Sequence, residues 1–208
     1  MSDLEMELPV VYLKPAEMYM ASSPSIVKTV LGSCVSVTLF NHRLKVGVIC
    51  HGLLPYCREK SACKGECTLC FKYVDCSIRH MVGQFRSLGI GHREIEVKLF
   101  GGADMFIARA GERETVGAQN VVAALSIIAK EHLNLCKSDT GGNQGRRIYF
   151  YTHTGEIFLK RLGTGERELV ADIIKVENQM LTAALQENDQ GRASDSLCLR
   201  RRPHVRYE

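Results

Sequence analysis

The chain has 208 residues, 45% of them hydrophobic and 24% charged, the balance of one globular domain with a core of its own. A formal net charge of +4, much of it at Arg200-Arg201-Arg202, does not argue for a nucleic-acid binder, which would show a basic face throughout the fold. No apolar run approaches the ~18 residues of a membrane span, and the acidic start Met1–Glu7 lacks a signal peptide's basic and apolar regions; the expectation is a cytosolic protein whose nine cysteines are mostly reduced thiols, metal ligands or catalytic groups and not a disulfide framework.

In chain order, residues 10–13 and 17–21 read as short strands divided at Pro15, and 22–25 as a turn. Ile26 to Val30 is a strand delivering the chain to Gly32. Two apolar runs, 35–40 and 46–50, flank the polar turn Asn41 to Lys45 and predict a β-hairpin. Cys34 just precedes the first run and His51 just follows the second, so an antiparallel hairpin brings thiol and imidazole to the same open end. That pair is the minimal apparatus of nucleophilic acyl chemistry, the thiolate attacking and the imidazole carrying protons. Gly32 permits a tight turn that aims backbone N–H groups near Ser33 and Cys34 at one point, where they hold an oxyanion. The competing reading makes Cys34 a packing residue and His51 a satisfied strand end, and the residues alone leave the two in balance. Thr29 on its own reads as a β-branched strand residue.

Beyond Pro55, Cys57, Cys63, Cys67, Cys70 and Cys76 are interleaved with lysines. Cys63, Cys67 and Cys70 have the C-x3-C-x2-C spacing of some iron–sulfur enzymes, yet the chain is too short for such an enzyme's barrel. A zinc site with Cys57 or Cys76 as fourth ligand, or a plain cysteine-rich loop, are the other readings. Asp75 is a fair N-cap for a helix carrying Ile78, Met81, Val82, Phe85 and Leu88 at helical spacing, stopped at Gly89, with His80 on its polar side. Residues 94–100 alternate as a half-buried strand, followed by Gly101-Gly102, a pair that allows close backbone approach and is no phosphate loop. Met105 and Phe106 are packing residues. A second helix is expected within 114–134, with Asn120 either reaching the Gly101 loop or lying on the helix surface. Residues 139–143 are a concentrated turn signal, and 146–152 with 157–162 form a second hairpin around a surface turn at His153. Residues 169–174 continue as a strand or helix start, 176–185 as a short helix, and the polar remainder as a disordered tail. The domain is therefore 1–175, with a cysteine-rich insertion at about 56–72 and an extension at 176–208. Many short strands with two clear helices predict an α+β fold, mixed β-sheets layered with helices on one side.

Five segments carry a resemblance in order along about residues 8 to 173: Leu31-Gly-Ser-Cys-Val35, His51-x-x-Leu-Pro55, Gly101-Gly-Ala-Asp-Met-Phe106, Gly117-Ala-Gln-Asn-Val121 and Asp139-Thr-Gly-Gly-Asn143. Together they resemble the chemoreceptor glutamine deamidases of the CheD family. The resemblance implies a layered α/β sandwich, with Cys34, His51 and Thr29 catalytic. Gly101 and Gly102 would form the pocket floor, Ser33 would contact substrate, and the Asn143 turn would sit at the pocket rim, its amide near the substrate amide. It also implies hydrolysis of glutamines on methyl-accepting chemotaxis receptors, glutamyl methyl esters as further substrates of some relatives, and a CheC-type phosphatase as a second partner. No metal or organic cofactor is required by that chemistry. Two rivals remain: a non-catalytic adaptor that docks receptor or phosphatase, and a metal or redox module built on Cys57 to Cys76.

Overall fold

The computed structural model describes residues 8–21, 23–57, 70–104 and 114–190. The nine strands among the described residues are β1 (Val10–Tyr12), β2 (Met18–Met20), β3 (Ile26–Leu31), β4 (Val35–Asn41), β5 (Val46–Gly52), β6 (Glu96–Gly101), β7 (Asn134–Thr140), β8 (Arg146–Tyr151) and β9 (Ile157–Arg161). The α-helices are α1 (Val74–Ser87), α2 (Val116–Lys130) and α3 (Arg167–Gln190). One sheet runs β1-β3-β8-β9, the other β2-β5-β4-β6-β7, and each mixes parallel and antiparallel pairs. This is the α+β sandwich the strand count predicts.

Strand β4 is the centre of the five-stranded sheet, and all seven of its residues are buried. One face meets the apolar stripes of α1 (Ile78, Met81, Val82, Phe85) and α2 (Ala123, Ala124, Ile127, Ile128), which pack on Val35, Val37, Leu39 and Leu99. Each fully buried large side chain in that layer contributes about 2 kcal/mol. Between the sheets lie two smaller clusters: one joins Leu13, Tyr19 and Val27 to Ile49 and Phe150, the other Leu31 and Cys34 to Phe100 and Ile148. The second cluster sits beside the Gly32–Cys34 turn.

The hairpin, both clear helices and the second hairpin lie where their sequence patterns put them, with shifted ends. Helix α1 begins at Val74, so Asp75 lies in its first turn, where Oδ1 accepts the backbone N–H groups of Cys57 and Cys76. Helix α2 is capped by Thr115, whose hydroxyl accepts from the Ala118 N–H, and it ends at Lys130. Residues 134–140, read as helix end and turn, instead form β7, parallel to β6 at the sheet edge. Its polar residues give no apolar alternation, as suits a partly exposed edge strand.

The end of the described chain differs most from expectation. Residues 167–190 make one continuous helix, α3, which runs through the boundary placed at 175 and extends past 185. The tail beyond 190, together with Cys63, Cys67, Met105 and Phe106, lies outside the described residues. Among the described residues, no helix is long and apolar enough to cross a membrane.

Candidate active site

The site lies where the two sheets meet. Antiparallel pairing sets Ser36 opposite His51 and Val35 opposite Gly52, so Cys34, one residue earlier, stands at the hairpin's open end beside the imidazole. Thr29 reaches the same point from β3 of the other sheet. Its Oγ1 donates to the Leu13 carbonyl at 2.9 Å and stands 2.8 Å from His51 Nδ1. A hydroxyl has one proton, and the Leu13 carbonyl takes it; Nδ1 must then donate to Oγ1. That fixes the tautomer and leaves Nε2 as the basic nitrogen. Nε2 is buried and has no hydrogen-bond partner among the described residues.

The turn bearing Cys34 is clamped from behind. Gly102 N–H donates to the Cys34 carbonyl at 2.8 Å and Ala103 N–H to the Gly32 carbonyl at 2.9 Å. The fully buried Asn120 of α2 donates through Nδ2 to the Ser33 and Leu53 carbonyls, 3.1 Å each. It thus joins the segment before the thiol to the segment after the imidazole, and does not reach the Gly101 loop. Gly101, at φ 105°, packs so closely on the Cys34 carbonyl that a Cβ has no room. Gly102 packs equally closely on α2, against Val121 and Gly117. Both glycines therefore support the nucleophile turn from behind, and neither lines the cavity that reaches His51.

Asp139 and Thr140 end β7, and the turn that follows from Gly141 is tethered to its surroundings. Arg146, wholly buried, donates to Asp139 Oδ1 at 2.6 Å and to the carbonyls of Gly141 and Gln144. Arg161 donates to Asp139 Oδ2 at 2.8 Å. Partial burial works against the Asp139 charge, but the bonds and charges of the two arginines outweigh it and hold the carboxyl below its usual range. Asn143 is exposed on this turn.

The sequence reading missed Glu177. From α3 its Oε1 accepts the Gly32 N–H at 2.9 Å, and Oε2 accepts the Ser33 N–H at 2.9 Å and the Ser33 hydroxyl at 2.7 Å. These are N–H groups of the very turn expected to hold an oxyanion. Ligand atoms of Cys34, His51 and Glu177, all buried, lie within 4.8 Å of one another. They are donor types that zinc accepts, but both Glu177 oxygens are already turned to the Gly32–Ser33 donors. The one available hint was spacing: Ile173, Glu177 and Leu181 recur every four residues, an inward helical ridge with a carboxylate in its middle.

Burial, then the Glu177 charge, then a hydrogen bond to Glu177 push the Cys34 thiol well above its ordinary value. Burial lowers His51 from 6.5 to about 4, against the opposing pull of Glu177 and the Leu13 carbonyl. The pair is neutral at rest, a thiol facing an imidazole base. A cavity of about 570 Å³ opens onto Thr29 and His51 between β1, β3 and β8 on one side and Ile173, Val176 and Glu177 of α3 on the other. Of the cysteine-rich stretch, Cys57 is a buried thiol in the cluster that holds Cys34, and Cys76 is half-buried.

A family model described as CheD chemotactic sensory transduction matches residues 53–161. The match begins just after His51, so Cys34, His51 and Thr29 stand on the geometry above. Over 162 residues the chain is 48% identical to a probable chemoreceptor glutamine deamidase CheD 2 of Geobacter sulfurreducens, covering 78% of this chain and 96% of the relative. A probable chemoreceptor glutamine deamidase CheD of Maridesulfovibrio salexigens is 38% identical over 156 residues, covering 73% and 91%. One of Thermococcus kodakarensis is 38% identical over 136 residues, covering 65% and 82%.

Proposed function

Because the chain belongs to the CheD family, we propose that it is a chemoreceptor glutamine deamidase acting in the cytosol, with Cys34 as nucleophile, His51 as base and acid, and Thr29 as the group that positions His51. The observation that carries this reading is the fixed His51 tautomer, its free Nε2 beside a thiol.

The reaction runs in two halves. His51 Nε2 takes the thiol proton as Cys34 Sγ bonds to the glutamine Cδ, and the carbonyl oxygen becomes an oxyanion facing the Ser33 N–H group. His51 returns that proton to the amide nitrogen, the C–N bond breaks, and ammonia leaves a glutamyl thioester. Ammonia is a poor leaving group without that proton, which is why a neutral imidazole able to take and return one matters more here than a standing thiolate. In the second half His51 takes a proton from water, the hydroxyl adds to the thioester carbon, and the C–S bond breaks. The proton returns to Sγ, and the products are glutamate and free thiol. Throughout, Nδ1–H stays on the Thr29 oxygen, so the ring does not turn between steps.

A glutamyl methyl ester fits the same route, methanol leaving in place of ammonia. A CheC-type phosphatase is the second partner that family membership suggests. The test of the substrate is direct: incubate the protein with a glutamine-containing receptor cytoplasmic fragment and map conversion of glutamine to glutamate by peptide mass spectrometry. Site-specific conversion, absent with His51→Ala, is expected. Binding of the fragment without conversion would favour the adaptor reading.

A further inference from the structure

Glu177 is an unusual residue for its place. It lies on the buried ridge of α3, 1% exposed, with Ile173 one turn before it and Leu181 one turn after. Leu181 is itself buried in the apolar cluster that contains Cys34, and Met180 packs against the same cluster. A leucine at 177 would serve simple packing, whereas a buried carboxylate is destabilising unless it is fully hydrogen-bonded. Here it is: two consecutive backbone N–H groups and the Ser33 hydroxyl converge on it, the arrangement of an anion nest. Gly32 leaves it the room, since a Cβ there would stand 2.9 Å from a Glu177 oxygen.

We propose that α3 occupies, within the same chain, the place where a substrate helix binds, with Glu177 standing where the product glutamate stands after hydrolysis. This inference rests on the deamidase reading. It assigns the Ser33 N–H and hydroxyl, which share one Glu177 oxygen, as the donors that receive the side-chain carbonyl oxygen, and the Gly32 N–H, on the other oxygen, as a donor to the carboxylate once the amide has gone. It also describes the substrate: a glutamine on an α-helix, with apolar residues four positions before and after it, as Ile173 and Leu181 flank Glu177. The regulatory consequence is that α3 must leave before another helix enters, so the enzyme is held by its own product-like side chain.

The substitution Glu177→Gln turns this occupant into a substrate. The introduced carboxamide and one water yield the carboxylic acid and ammonia through Cys34, with no further reactant. The purified Glu177→Gln protein is expected to carry a carboxylate at position 177 by peptide mass spectrometry, and Glu177→Gln combined with Cys34→Ala to retain the amide. A preparation kept unfolded from synthesis, with the amide at 177 still intact, should on refolding in heavy-oxygen water gain about 3 Da at that position, where ordinary water gives about 1 Da. An amide that persists in a protein still converting receptor-fragment glutamines would overturn the inference and leave the deamidase reading standing. Failure to convert either would remove the deamidase reading itself. As an independent readout, Glu177→Ala should speed alkylation of Cys34 by iodoacetamide roughly tenfold or more and lower the KM for the receptor fragment. An unchanged alkylation rate counts against α3 as the occupant.

Discussion

Thr29 and His51 come from different sheets, yet the Thr29 oxygen meets His51 Nδ1 at 2.8 Å and hands its own proton to Leu13. A neutral hydroxyl thereby does what the carboxylate does in a Ser-His-Asp triad: it selects the tautomer and holds the ring. Thr29→Ala frees the ring to present either nitrogen. Deamidation should fall roughly tenfold to a hundredfold in kcat, with little change in KM, while Thr29→Ser retains most of it. Equal loss in both variants would show that the methyl packing, and not the hydroxyl, matters.

The buried imidazole also predicts a pH dependence of stability. His51 is lowered from 6.5 to about 4 by burial, so between those values the unfolded chain binds a proton that the folded chain refuses. Stability therefore rises with pH across this window: the contribution is complete above about 6.5 and is lost as pH falls toward 4. Thermal melts across that range should show a falling Tm on acidification. His51→Gln should flatten much of the fall, leaving the part due to His80, which burial also lowers. An identical slope in the variant contradicts the assignment.

Asn120 ties the two halves of the site by donating to the Ser33 and Leu53 carbonyls. Asn120→Leu keeps the volume but leaves both carbonyls unsatisfied in a buried place, a cost of about 1–3 kcal/mol in urea unfolding. Activity should fall further than stability accounts for, because the Ser33 carbonyl belongs to the peptide that leads directly into Cys34. A stable variant with full activity would show that the clamp is dispensable.

Much of this was legible in the sequence where local chemistry dictates structure. The apolar runs of β4 and β5 around a polar turn set the hairpin, and with it the meeting of Cys34 and His51. The apolar spacing of Ile78, Met81, Val82 and Phe85 set α1. Legibility ended where tertiary contacts decide. Strand β7 is polar and owes its strand state to pairing with β6. The turn signal at 139–143 was visible, but not that the buried Arg146 tethers the turn and leaves Asn143 in solvent. Gly101 and Gly102 were rightly read as points of close approach, but their neighbours proved to be the Cys34 carbonyl and α2, and not the cavity. Glu177 lies 143 positions after Cys34 in the chain. The spacing of Ile173, Glu177 and Leu181 marks an inward ridge, but nothing local to it says that the carboxylate meets two backbone N–H groups.

The central claim is that Cys34 carries the acyl group. The most direct measurement is rapid acid quenching of a running deamidation with a receptor-derived peptide, followed by intact-mass analysis of the protein. The account predicts a covalent adduct equal to peptide minus ammonia, located at Cys34, discharged by hydroxylamine and absent with Cys34→Ala, which should also show no conversion. A Cys34→Ala protein that converts glutamine to glutamate at the unsubstituted rate, with no adduct in either protein, would contradict it.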